Sequence, residues 1–104
     1  MDGFALHLAR GHDRDVVVVV GDLDGASVSR LHELVGTLIT SGSRDVVLDL
    51  SHMTFVDSTG LGGMLRSRQL LDDLGGSLVL RSPTDFTRKV LSMAGLDGVF
   101  GVET

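Results

Sequence analysis

The amino-acid sequence predicts an α/β domain with a mixed, mostly parallel sheet of about five strands and helices packed against it. Three observations predict it. Segments of strand character alternate with segments of helical period. Glycines and polar turns punctuate the changes of period. No linker-like or low-complexity stretch interrupts the series, so residues 1–104 read as one domain.

Residues 4–8 alternate apolar with other residues, GHDRD makes a turn, and residues 16–20 are an unbroken valine run of buried-strand type. This is a hairpin. Val28, Leu31, Leu34, Val35, Leu38 and Ile39 then recur at helical spacing, with Ser41 and Gly42 as a stop and Asp24 as the expected cap. Residues 46–50 read as a central strand, and SHMTFVD as a connection into a second helix. Leu61, Met64, Leu65, Leu71 and Leu74 share the apolar face of that helix, and Gly75 and Gly76 end it. Residues 77–80 form a further strand. Ser82-Pro83-Thr84-Asp85 then supplies a cap, a first-turn proline and an acid for a third helix. Gly95 is placed as a left-handed stop with Leu96 folding back on Leu91, and a short strand at 99–102 closes the order.

Composition removes several classes of function. Asp plus Glu outnumber Lys plus Arg by 14 to 9, and the four aromatic residues are all Phe, so neither phosphate backbones nor bases find a matching surface. No direct nucleic-acid contact is expected. The absence of cysteine excludes disulfides, thiolate nucleophiles and cysteine metal sites, and fits the cytoplasm. MDGFALHLARG has no basic stretch followed by an apolar segment, so neither export nor membrane insertion is expected. His7, His12, His32 and His52 include no pair at helical i, i+4 spacing, and GDLDGAS and GLGGMLRS match neither a P-loop nor a dinucleotide fingerprint. No metal and no cofactor is assigned.

Ser58 sits where a loop enters a helix, as a hydrolase nucleophile does. Val56 occupies the place where the nucleophile elbow needs glycine, and the chain has little room for the remaining members of a triad. The chain is not read as an enzyme. In DSTG, Asp57 or Ser58 caps the second helix. Gly60, Gly62 and Gly63 each cost a helix about 1 kcal/mol relative to Ala, so a bare backbone is required there. Either another molecule approaches closely or the helix packs tightly on the sheet; spacing alone leaves both open.

GDLD at 21–24, VVLDLSHMTFVDSTGLGGML at 46–65, GGSLVLRSP at 75–83 and VLSMAGLDGVF at 90–100 together resemble a STAS domain of the anti-sigma factor antagonist family. The resemblance spans nearly the whole chain. It implies a bacterial cytoplasmic regulator of transcription, monomeric when free, that binds an anti-sigma factor and so releases a sigma factor. That partner is also a serine kinase. It modifies the serine after the aspartate in the family's D-S-S/T-G element, here Ser58, and a phosphoserine phosphatase reverses the mark. The partner surface implied comprises Asp22, Asp24, Asp57, Ser58, Thr59, Gly60, Leu61 and Gly62, with Asp22 or Asp24 placed to hydrogen-bond the unmodified Ser58 hydroxyl. Thr59 replaces a frequent second serine, and Gly25 and Gly63 are smaller than the residues often found there. Relatives also serve as accessory subunits of lipid-transport ATP-binding cassette systems or as parts of stress-sensing complexes, which is the alternative role.

Overall fold

The computed structural model describes residues 3–104. The elements are β1 (Ala5–Ala9), β2 (Asp15–Leu23), α1 (Val28–Thr40), β3 (Asp45–Val56), α2 (Ser58–Asp73), β4 (Ser77–Arg81), α3 (Asp85–Met93) and β5 (Gly101–Glu103). They form one five-stranded sheet in the order β1-β2-β3-β4-β5. The β1–β2 hairpin is antiparallel and every other pairing is parallel. The expected order and fold class are those observed.

Strand order follows chain order, so each parallel crossover advances in the same direction. Right-handed crossovers then put all three helices on one face. Burial agrees with this: Val17 and Val19 of β2, Val46, Leu48 and Leu50 of β3, and Leu78 and Leu80 of β4 belong to the core, whereas Val16, Val18, Val20 and Val79 on the other face are half-buried. Val47 is the exception, fully buried between its register neighbours Val16 and Val79. Arg14, just ahead of β2, pairs with Glu103 on β5.

Several expectations from the sequence are corrected. The second strand is Asp15–Leu23 rather than ending at Val20, so it takes in most of the GDLD segment. The central strand continues to Val56 rather than ending at Leu50. Two register shifts against β2 leave Met53 and Val56 buried while Ser51, His52, Thr54 and Phe55 are exposed. Bulges of this kind destroy the period of two on which strand reading rests. The third helix starts at Asp85, because Ser82 takes a left-handed φ of 50° and Thr84, not Ser82, caps it by accepting from the Thr87 N–H at 3.2 Å. Leu74 is not on the buried face but at the C-cap of α2, exposed. The final strand is Gly101–Glu103.

The helix stop at Gly95 has the expected form. Its φ is +73°, the Leu96 N–H donates to the Leu91 carbonyl at 2.9 Å, and the Gly95 N–H to that of Ser92 at 3.0 Å. These are the two bonds of a Schellman motif.

At the N-terminal ends of the parallel strands, the Asp15 carboxylate is buried and accepts from Arg10 Nε at 2.9 Å, from the Gly11 N–H at 3.2 Å and from the Ser43 hydroxyl. One side chain thereby ties the hairpin turn to the turn between α1 and β3. Burial works against its charged form, but the bonds from Ser43, Arg10 and Gly11 outweigh it and hold the carboxyl below its ordinary range. A lowered folded value means that the stabilisation is complete above about pH 4 and is lost as the pH falls through the folded value. Asp15→Asn is therefore expected to lose about 1–3 kcal/mol at neutral pH and to show a shallower loss of stability on acidification. Urea unfolding at a series of pH values checks both; a variant with the wild-type acid slope would count against this role.

Candidate functional site

The GDLD and DSTG segments meet at the far end of the same two strands. Leu23 and Val56 are register partners at the ends of β2 and β3, and the Asp57 N–H points to the Leu23 carbonyl at 3.4 Å. Asp57 leaves the strand in an extended conformation. Its Oδ1 accepts from the Gly60 N–H at 2.8 Å and its carbonyl from the Leu61 N–H at 2.9 Å. Of the two possible caps, Asp57 is the one used.

Ser58 and Thr59 are consequently the first two residues of α2, both exposed. Their N–H groups belong to the first turn, which has no intrahelical acceptors. The Ser58 hydroxyl has no hydrogen-bond partner among the described residues. The neighbouring loop is close: a Cβ on Gly25 would lie 3.9 Å from Thr59 Cγ2.

The glycines divide. A Cβ on Gly60 would lie 2.2 Å from the Leu23 carbonyl oxygen, and one on Gly63 would lie 2.2 Å from Val28 Cγ2 on α1. Those two are required by packing. A Cβ on Gly62 would meet nothing within 4 Å, so internal packing does not explain that glycine.

The two GDLD carboxylates, Asp22 within β2 and Asp24 just after it, are already engaged. Asp22 accepts from Thr54 Oγ1 at 2.7 Å, a bond between the ends of β2 and β3. Asp24 accepts from the Ala26 N–H at 3.0 Å and from Ser27 Oγ at 3.2 Å; Ser27, not Asp24, stands at the N-cap position of α1, and its side chain makes no capping bond. Neither bonds the Ser58 hydroxyl, which corrects that expectation: Asp22 ties β2 to β3, and Asp24 holds the turn before α1. Asp24 contributes to the start of α1 through its carbonyl, which accepts from the Val28 N–H at 2.9 Å. Thr54 carried no signal in the sequence, because its segment reads as a connection.

Leu61 is 7 % exposed and packs in the core with Met64, so its side chain offers a partner almost nothing. Arg66 donates to His32 Nε2 at 2.8 Å and Arg68 pairs with Asp72 at 3.4 Å, giving α2 a charged outer face. His52 lies on β3, beside Ser51 Oγ at 3.0 Å, four strand residues (about 13 Å) before Val56. His52 is therefore not beside Ser58, and the adjacent Asp57 carboxylate is engaged as the cap of α2. Among the described residues no group of three or more His, Cys, Asp or Glu is placed to hold a metal, and no helix is long and apolar enough to cross a membrane.

The division of the glycines is testable by stability alone. Gly60→Ala is expected to cost about 2 kcal/mol or more, since its methyl would meet backbone that cannot yield. Gly62→Ala is expected to be neutral or to stabilise by up to about 1 kcal/mol through helix propensity. Denaturant midpoints of the two variants decide; equal losses would contradict the division.

Comparison with known proteins agrees with this architecture. A family model described as "Mlab, STAS domain" matches residues 6–102. The chain is 28% identical over 86 residues to the anti-sigma-B factor antagonist of Staphylococcus aureus (strain NCTC 8325 / PS 47), covering 83% of this chain and 80% of the relative. It is 29% identical to the anti-sigma F factor antagonist of Lysinibacillus sphaericus, covering 80% and 74%. The structure of the anti-sigma factor antagonist SpoIIAA in its unphosphorylated form superposes with a TM-score of 0.81 at 25% identity, over 96% of this chain and 89% of that one. An anti-sigma factor antagonist from Mycobacterium paratuberculosis shares the fold with a TM-score of 0.86 at 22% identity, over 98% and 86%. With its sheet, its GDLD segment and its DSTG turn arranged in this way, the chain belongs to the STAS domain family.

Proposed function

We propose that this protein binds an anti-sigma factor with serine kinase activity while unphosphorylated, so releasing a sigma factor, and that phosphorylation of Ser58 switches it off. The observation that carries the reading is the setting of Ser58: an exposed residue whose hydroxyl has no partner among the described residues, at the first position of a helix, beside a loop of the same rim. A kinase can reach such a hydroxyl without unfolding anything. Thr59 is exposed too, but its methyl faces the Gly25 loop. The protein is thus the substrate of the kinase and, later, of a phosphoserine phosphatase, and is itself no enzyme. It works in the cytoplasm and is monomeric when free.

Phosphate on Ser58 adds about −1.5 to −2 charges next to Asp57. The unsatisfied N–H groups and the positive end of the α2 dipole offset that repulsion, so the fold tolerates the group. In a docked complex the phosphate is stripped of water without a matched cation. By analogy with broken buried ion pairs this costs about 3–5 kcal/mol, and roughly 4 kcal/mol is close to a thousandfold in affinity.

Ser58→Ala is expected to bind the anti-sigma factor constitutively. Ser58→Asp is expected to bind weakly while keeping the wild-type circular dichroism and melting temperature. Calorimetric titration against each purified anti-sigma factor of the source genome, with phosphorylated and unmodified protein, tests the switch. Equal affinity of the two forms, or melting on modification, would sink it. Co-purification with a transporter ATPase or a large assembly of homologous chains, instead of a kinase, would favour the accessory-subunit role.

A further inference from the structure

Ser58 and Thr59 are neighbouring exposed hydroxyls at the start of α2, and the residues one turn further along set them apart. A helical side chain leans toward the N-terminus and covers the turn before its own Cα, so side chains at positions 62 and 63 would lie over Ser58 and Thr59. Both positions are glycine. The two gaps differ. A Cβ on Gly63 would lie 2.2 Å from Val28 Cγ2, so α1 fills the place behind Thr59. A Cβ on Gly62 would meet nothing within 4 Å, and the place behind Ser58 stays open. The loop before α1 adds to the contrast, since a Cβ on Gly25 would lie 3.9 Å from Thr59 Cγ2. Thr59 thus borders α1 and its loop, whereas position 62 leaves Ser58 uncovered.

Phosphoryl transfer makes that opening matter. The Ser58 oxygen attacks the γ-phosphorus of a nucleoside triphosphate held by the kinase, and the bond from that phosphorus to the β–γ bridging oxygen breaks. The diphosphate leaves with the electron pair, and the hydroxyl proton passes to a base of the kinase. The attacking oxygen has to come within about 3–3.5 Å of the phosphorus, in line with the leaving oxygen. A serine oxygen is separated from Cα by a single carbon. The wall of the kinase site therefore closes almost onto the helix, and a side chain overhanging Ser58 would stand in its way.

We propose that Gly62 is the residue that lets the kinase close on Ser58 and makes Ser58, not Thr59, the acceptor. The inference rests on the function proposed above and deepens it, by assigning the choice of hydroxyl to clearance on α2. Gly60 and Gly63 serve the fold, and Gly62 serves the transfer. A bare helix position is not enough by itself: Gly36 on α1 is equally open, with nothing within 4 Å of a Cβ. It lies about 12 Å of helix beyond Val28, away from Ser58, and supplies the control.

The test gives each purified anti-sigma factor of the source genome magnesium ATP and the full chain as wild type, Gly62→Ala, Gly62→Gln, Gly36→Gln or Ser58→Ala. It measures kcat/KM, with the modified residue located by mass spectrometry and melting temperatures recorded alongside. Gly62→Gln is expected to melt no lower than wild type, since glutamine is the better helix former, and to be phosphorylated about twentyfold less efficiently. Gly62→Ala, with its single added carbon, is expected to lose about threefold. Gly36→Gln is expected to match wild type, and Ser58→Ala to take no phosphate on Thr59. If wild type is modified on Ser58 and Gly62→Gln is modified as fast, clearance is refuted and the Ser58 switch survives. Equal slowing of Gly36→Gln, melting of Gly62→Gln well below wild type, or transfer to Thr59 of Ser58→Ala at the wild-type rate would each overturn the proposal as well. If no anti-sigma factor modifies wild type, the functional reading itself fails and the role of Gly62 falls with it.

Discussion

The Cα of Gly60 lies so close to the Leu23 carbonyl that a methyl group would sit 2.2 Å from its oxygen. Much of the rim follows from that approach. It lets the first turn of α2 settle directly on the end of β2, so the Asp57 cap, the Ser58 hydroxyl and the GDLD loop are held within one small region. A side chain at position 60 would push the helix start away and separate the two loops. The same helix meets α1 one turn later at Gly63, against Val28. Two bare positions thus fix the helix against the sheet and against its neighbour, and the exposed residues between them take their positions from that packing.

The one-sided arrangement of helices has a further consequence. All three follow from parallel crossovers in a single direction, so the loops leading out of β2, β3 and β4 all enter helices on the same face of the sheet. Chemistry in parallel sheets concentrates at the carboxyl ends of strands for this reason. At the opposite end the turns are tied down instead: Asp15 gathers Arg10, Gly11 and Ser43, and Asp45 accepts from Ser77 Oγ at 2.8 Å. Charges are consumed internally at one end. At the other, the Ser58 hydroxyl has no hydrogen-bond partner among the described residues.

Polar groups in the rim are spent on shape before recognition. Asp22 and Thr54 join the ends of β2 and β3, and Asp24 with Ser27 closes the loop before α1. These bonds prearrange the surface, which lowers the ordering cost of docking. They also explain why neither carboxylate reaches Ser58. The Ser58 hydroxyl is exposed and outside these bonds.

The sequence by itself determined the order of elements, the hairpin, the Schellman stop at Gly95 and the position of Ser58 at a helix start, since each depends on interactions within a few residues. Capping, left-handed glycines and apolar periodicity are local physics. What needed the tertiary structure was everything set by contacts between distant segments. β3 runs to Val56 because β2 pairs with it through two bulges, and bulges erase the alternation that would reveal a strand. The three helix glycines look alike in sequence, yet Gly60 and Gly63 are required by Leu23 and Val28 while Gly62 is not, and only the placed neighbours distinguish them. Leu61 resembles part of a partner surface until the packing of α2 turns it inward. Along α3 the sheet covers the stripe of Thr87 and Leu91 and leaves Phe86 and Met93 exposed, because periodicity identifies an apolar stripe and cannot say which of two adjacent stripes will be covered.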